Sequence, residues 1–154
     1  IYFSGYFILY IYIIVWEVKY MDIVEMLNID LSGEIEAILV YMRNSTVALR
    51  NVCETGNELE EIALDEMRHA DWLSGLIVNL GGKPAMVHRE LDFGGKTASD
   101  FLKRGIELEN GGIEMYKEHI SAIDNIKVKE KLQHILKEEE WHLKEFEELL
   151  YEQD

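Results

Sequence analysis

The sequence predicts an all-α fold, a four-helix bundle with one long crossover between the second and third helices, on three observations. Apolar residues recur at helical spacing from Met21 onward, and Pro84 is the only proline, so little interrupts long helices. The apolar-periodic segments are joined by a tight link, a long link and another tight link. Each stripe is broken by a carboxylate, at Glu34, Glu66, Glu109 and Glu139. A solvated surface charge would not sit on the buried face, where an unpaired charge is expensive.

The first helix is predicted from about Asp22 to near Asn51, with Leu27, Leu31, Ile38, Tyr41, Ala48 and Val52 on one stripe. Glu34 lies inside that stripe, whereas Glu36 lies off it and reads as a solvated side chain. Thr55-Gly56-Asn57-Glu58 has the form of a capping box and is expected to open the second helix. The second stripe is Leu59, Ile62, Leu73, Leu76 and Leu80, with Glu66 and His69 in its middle. Gly81 and Gly82 end this helix and Pro84 prevents its resumption.

From Gly81 to about Lys96 no period is sustained, and the stretch is long enough to run the length of a bundle. Thr97 or Ser99 then caps a third helix with the stripe Leu102, Ile106, Ile113, Tyr116, Ile120 and Ile123, broken at Glu109. Asp124-Asn125 forms a tight connection to the fourth helix, whose stripe is Val128, Leu132, Ile135, Phe146 and Leu149 around Glu139 and His142. Short links make the first and second helices antiparallel, and likewise the third and fourth. The two halves are alike: a helix with one Glu, then a helix with Glu-x-x-His.

Length and charge narrow the function. At 154 residues the chain has room for one domain and one sizeable core. Its formal net charge of −15 falls entirely after residue 20, because Glu17 and Lys19 cancel. Such a surface repels phosphate backbones and anionic membranes, which argues against a nucleic-acid partner, and attracts small cations. Cys53 is the only cysteine, which excludes an intrachain disulfide and a four-cysteine metal site. A reducing, cytoplasmic location is the simplest expectation.

Residues 1–20 form a hydrophobic N-terminal extension, almost wholly apolar from Ile1 to Trp16. The run is at the short edge for a membrane span and lacks the basic leader of a signal peptide. It reads as an upstream or misassigned start before Met21, as a membrane anchor, or as an extra packing segment. A membrane is a partner only in the second case. Residues 21–154 are expected to form the functional domain.

Positions i and i+3 share a helix face, so Glu66 with His69 and Glu139 with His142 each point together. Two Glu-x-x-His pairs are weak evidence alone in a glutamate-rich chain. Four stripe interruptions, one in each helix and in an order and spacing that suit a bundle core, are much stronger, because four carboxylates and two imidazoles suit two divalent ions. Carboxylates are hard donors that bridge cations, neutral imidazole suits iron, manganese or zinc, and four negative charges balance two M(II) ions. Without metal, the crowded carboxylates should take up protons. Removing a bridging Glu66 or Glu139 is therefore expected to leave the metal-free bundle barely weakened.

Asp65 and Glu138 each sit four residues before a histidine of a pair and can accept its second N–H. Tyr41 and Tyr116, seven residues beyond Glu34 and Glu109, are candidates to hydrogen-bond a carboxylate or lend an electron, against a plain core role. His88, His119 and His134 lack a partner Glu at that spacing and are expected at the surface.

The pattern resembles the ferritin-like di-iron carboxylate proteins of the bacterioferritin and rubrerythrin branch, over Ile23 to about Leu150. Asp65-Glu66-Met67-Arg68-His69-Ala70-Asp71 is similar to the bacterioferritin second-helix motif. Glu34 followed by Tyr41 resembles its first helix, and Glu138-Glu139-Glu140-Trp141-His142 its fourth. The resemblance implies a ferritin-like four-helix bundle in which Glu66 and Glu139 bridge two metals. It makes Glu34 and Glu109 terminal carboxylates and gives each metal one histidine, His69 or His142. It also implies a haem site between subunits, with Met67 as the axial ligand.

Several features depart from the rubrerythrins: Gly112 stands where they carry a further Glu, and their four-cysteine domain has no counterpart. Twelve residues follow His142, fewer than the short fifth helix of cage-forming ferritins needs, so a homodimer or larger homo-oligomer is expected. Ile77 to Pro84 is similar to manganese-catalase-like relatives, which use a similar ligand set. The function implied is a di-iron ferroxidase that oxidises Fe(II) with O2 or H2O2, in iron homeostasis or oxidative-stress protection. The alternatives are a rubrerythrin-like or manganese-catalase-like peroxide-detoxifying enzyme, and a non-catalytic metal- or haem-binding dimer.

Overall fold

The computed structural model describes residues 22–153; the apolar extension of residues 1–20 lies outside the described residues. Four helices follow in order, α1 (Ile23–Ala48), α2 (Cys53–Asn79), α3 (Ala98–Ala122) and α4 (Ile126–Gln153). At 1.5 Å rise per residue each is about 40 Å long. α1 packs most extensively on α2, and α3 on α4. The two hairpins then meet through α1 against α3 and α2 against α4.

Local chemistry sets most of the ends. Asp22 caps α1 by accepting from the Val24 N–H. Thr97 and Asp100 form a reciprocal capping box at the start of α3, the Asp100 N–H donating to Thr97 Oγ1 at 3.1 Å and the Thr97 N–H to Asp100 Oδ2 at 3.0 Å. Three backbone and side-chain donors around it, led by the Lys96 N–H, hold the Asp100 carboxyl down to about 2. α2 begins differently from the sequence expectation. It starts at Cys53 with Val52 as N-cap and no side-chain cap, so Thr55 and Glu58 lie within the helix. Val52 thus belongs to the turn, not to the α1 stripe. A side chain at Gly56 would meet Leu49 at 2.6 Å, so the tight α1–α2 turn uses this glycine for close approach rather than for capping.

Gly81, at φ +83°, closes α2 in the left-handed conformation that favours glycine. The residues between Asn79 and Ala98 then run as an irregular crossover alongside α1. Two asparagines of α1 fix it at either end. Asn28 accepts from the Ala85 N–H at 2.7 Å and donates to the Lys83 carbonyl, while Asn44 donates to the Phe93 carbonyl at 3.2 Å.

The apolar core is in two parts. One gathers Leu27, Leu31, Leu73, Ile77, Leu132 and Ile135 near one end of the bundle. The other gathers Val40, Leu59, Ile62, Phe101, Leu102 and Phe146 toward the opposite end. Between them all four stripes turn polar, at Glu34, Glu66 with His69, Glu109, and Glu139 with His142. A side chain at Gly105 would strike the Phe146 ring at 2.7 Å, so that glycine lets α3 and α4 close on one another just beside the polar layer.

Candidate dinuclear metal centre

The polar layer is buried. Glu66, His69 and His142 are fully buried, and Glu34, Glu109 and Glu139 are within 4% of it. The structure brings all six together as two overlapping groups. His69 with Glu34, Glu66 and Glu139 offers ligand atoms within 4.8 Å of one another, and His142 with Glu66, Glu109 and Glu139 offers a second such set. Glu66 and Glu139 belong to both. Each histidine turns Nδ1 inward: His69 Nδ1 is 2.8 Å from Glu66 and 2.9 Å from Glu139, and His142 Nδ1 is 3.2 Å from Glu66.

The donor set fits a pair of divalent cations. Glu66 Oε1, Glu109 Oε2, Glu139 Oε1 and His142 Nδ1 are buried with no hydrogen-bond partner, a concentration of orphaned lone pairs that folded proteins otherwise avoid. Hard carboxylate oxygens with neutral imidazole suit iron, manganese or zinc.

Protons take the place of cations when the site holds none. Burial raises Glu34 well above the ordinary carboxyl range, and the nearby charges of Glu139 and Glu66 push it further. Burial does the same to Glu139, with Glu66 and Glu109 adding to it. Glu66 goes the other way: burial opposes its charge, but the close contact of His142 and the hydrogen bond from His69, with the charge of both rings, outweigh burial and hold it well below that range. Burial works against charge on the two imidazoles as well. Bonding to Glu66 and the charge of Glu34 lift His69 to about 9, and the close approach of Glu109 and Glu66 to its inward nitrogen lifts His142 to about 11.

The partners around the cluster are crossed between helices. Tyr41 donates to Glu109 at 2.6 Å and Tyr116 donates to Glu34, so each tyrosine serves the carboxylate of the other helix. Glu138 lies 2.7 Å from Nε2 of His69, not of His142 on its own helix. Asp65 lies 3.5 Å from Nε2 of His142, not of His69. The sequence reading set Asp65 and Glu138 each beside the histidine four residues on along its own helix, whereas the contacts run across helices.

Three features escaped the sequence reading. His119, expected at the surface, is buried with its Nδ1 2.7 Å from Asp30 Oδ1; Asp30 sits one turn before Glu34 and His119 one turn after Tyr116, which was the available signal. Glu36, expected in solvent, is buried and accepts from Arg104 at 3.0 Å. A cavity of about 190 Å³ opens between α1 and α3, with Glu34, Glu109 and Glu139 in its wall and Gly112 beside Glu139. His88 and His134 are exposed, as expected. Trp141 is 47% exposed, with its ring 5.6 Å from the His142 ring, and Met67 is 37% exposed.

A family model described as ferritin-like domain matches residues 24–153. Among solved structures, the chain is similar to Desulfovibrio desulfuricans bacterioferritin, described with its diiron site in different catalytic states. That likeness has 26% identity and a TM-score of 0.78 over 84% of this chain and 78% of the other. It is similar in fold to Rhodobacter capsulatus bacterioferritin, described with a metal-free dinuclear site and haem iron. There the identity is 23% and the TM-score 0.78, over 84% of this chain and 83% of the other. No curated protein matches the chain by sequence. No helix among the described residues is long and apolar enough to cross a membrane.

Proposed function

This chain belongs to the ferritin-like family, and we propose that its buried cluster holds two iron ions and acts as a ferroxidase, oxidising Fe(II) with O2 or H2O2. The observation that carries the reading is the pair of four-residue ligand sets sharing Glu66 and Glu139. Shared carboxylates suit bridges, which leaves Glu34 and His69 to complete one position and Glu109 and His142 the other. Iron bound there supplies the electrons that reduce the oxidant.

The remaining work falls to the chain. Two apolar clusters keep bulk water from either end of the polar layer, which strengthens every electrostatic interaction inside it. Tyr41 and Tyr116 pin one oxygen of Glu109 and of Glu34 and leave the other free for a cation. The cavity between α1 and α3 is sized for Fe(II) or a small oxidant to reach the three carboxylates in its wall. Gly112 keeps that wall open beside Glu139, and this favours the ferroxidase reading over a rubrerythrin-like peroxidase, whose further Glu would fill the position.

Haem binding between two copies of the chain is a further part of the proposal. Met67 and Leu64 stand exposed one turn apart on α2, and a thioether is a competent axial ligand. Metal analysis of protein purified from its native host tests the assignment, with two irons per chain expected and two manganese ions favouring the catalase-like alternative. Stopped-flow absorbance during aerobic Fe(II) addition then separates turnover from binding. Fe(II) that is bound but not oxidised faster than in buffer would leave a non-catalytic binding protein.

A further inference from the structure

The outer face of the α2–α4 pair holds a surface arginine that touches no member of the cluster yet is joined to both of its histidines. Arg68 Nη1 donates to Asp65 Oδ1 at 2.7 Å, and Nη2 donates to Glu138 Oε2 at 3.4 Å on the facing helix. The same Glu138 oxygen lies 2.7 Å from His69 Nε2, and the second oxygen of Asp65 lies 3.5 Å from His142 Nε2. One guanidinium therefore grips two carboxylates, and each carboxylate holds the outward nitrogen of one histidine. We propose that Arg68 is a positioning residue that sets both His69 and His142, through Glu138 and Asp65, with Nδ1 facing the metal positions.

The ring tautomer links the arginine to the metal positions. A carboxylate that accepts from Nε2–H keeps the proton on that nitrogen and leaves the Nδ1 lone pair for a cation. Both carboxylates are about a quarter exposed, so without a fixed cation between them they repel one another and turn to water. A planar fork can hold both at once, whereas an ammonium is a point charge that serves one geometry well. Arg68 is itself 43% exposed, and ion pairs that open to solvent add little to folding. Its effect on the histidines is therefore separable from any effect on the fold.

This inference rests on the dinuclear reading, and the experiment separates the two. The full chain and its Arg68→Gln and Arg68→Lys variants are stripped of metal, and Zn(II) affinity is measured by competition with a chelator. Denaturation midpoints are recorded alongside, with ¹⁵N spectra of the histidine rings in the Zn(II)-loaded proteins. The expected result is about a tenfold loss of affinity at both positions in Arg68→Gln, at the lower end for outer-sphere partners. Both Nε2–H signals should shift or broaden, the denaturation midpoint should hold, and Arg68→Lys should recover one position better than the other. A parent protein that binds fewer than two Zn(II) would overturn the dinuclear reading. A parent that binds two while Arg68→Gln keeps the same affinity and spectra would overturn the role of Arg68 alone. A fall in affinity matched by a fall in midpoint would also overturn it, since the arginine would then be structural.

Discussion

Tyr41 reaches Glu109 across the α1–α3 interface with a 2.6 Å hydrogen bond, and Tyr116 reaches Glu34 in the opposite sense. On one helix, positions seven apart are separated by about 10 Å of rise, too far for a phenol to serve its own helix's carboxylate. Antiparallel packing solves this by bringing each tyrosine level with the Glu of the neighbouring helix. Burial, reinforced by Glu109, raises the Tyr41 phenol well above its ordinary range, and burial with Glu34 does the same for Tyr116. Both therefore stay protonated and donate throughout the working pH range.

Tyr41→Phe removes the donor to a buried carboxylate. It should lower stability of the metal-free protein by ~1–3 kcal/mol, the range for a lost hydrogen bond to a buried charged group. Metal should still bind, less tightly at the Glu109 position than at the Glu34 position. Tyr116→Phe should invert that preference. Stepwise metal titration of both variants checks it, and equal weakening of both positions in each variant would contradict the crossed pairing.

Glu66 and Glu139 are alike in sequence and unlike in the folded chain, which divides an expectation that treated them together. Glu66 is the charged carboxylate that faces both inward imidazole nitrogens, 2.8 Å from His69 Nδ1 and 3.2 Å from His142 Nδ1, whereas Glu139 is driven toward its protonated form by burial and by Glu66 and Glu109. Glu66→Ala therefore strands two buried cationic histidines and should destabilise the metal-free protein by ~3–5 kcal/mol. Glu139→Ala relieves repulsion and should leave that form unchanged or firmer. Both should lose metal at the two positions together. Glu36, expected in solvent, is unsuitable as a control because it is buried and bonded to Arg104; the exposed Glu61 serves instead. Urea denaturation of the metal-free variants decides the contrast.

The same protons predict a pH dependence. His69 titrates at about 9 and His142 at about 11 in the folded metal-free chain, against about 6.5 unfolded. The folded form thus holds more protons over that window, so its stability is fully present below about pH 6.5 and falls as pH rises through 9 and then 11. Glu34 and Glu139, also raised, add to the fall from the acid side. Metal affinity should move oppositely, because binding expels these protons. Calorimetric titration in buffers of different ionisation enthalpy at pH 7 should show at least two protons released as two Zn(II) ions bind. Release of none would refute the protonation states.

The helices and the six clustered residues were legible because both rest on periodicity, which one chain displays by itself. Glu34 and Glu109 stand out as charges on an apolar stripe, and nothing beyond the stripe was needed to see them. What lay hidden depends on which helix faces which. The exchange of Asp65 and Glu138 between His142 and His69 follows from antiparallel register, as does the pairing of each tyrosine. The start of α2 was misplaced because Thr55 and Glu58 satisfy the capping pattern, while the turn is set by the approach of Gly56 to Leu49. Glu36 was misread because its partner, Arg104, lies on α3.

Asp30 and His119 give the sharpest case of a buried pair outside the cluster. Asp30 is fully buried, His119 is 6% exposed, and their 2.7 Å contact joins α1 to α3 one turn from the Glu34–Tyr116 bond. Burial raises Asp30, with the His119 bond opposing it, and the bond to Asp30 raises His119 against its own burial. Asp30 Oδ2 has no hydrogen-bond partner, so the aspartate already lacks part of what water would offer. His119→Ala would leave it with nothing and should cost ~3–5 kcal/mol, the range for breaking one side of a buried ion pair. Replacing both, as Asp30→Leu with His119→Leu, removes the stranded charge along with the bond and should recover most of that loss. Chemical denaturation of the two single variants and the double variant measures the coupling, with metal affinity followed in parallel. A double variant as unstable as the sum of the singles would show that the two residues act independently. Zn(II) binding that survives in the double variant would confine the pair to holding α1 against α3.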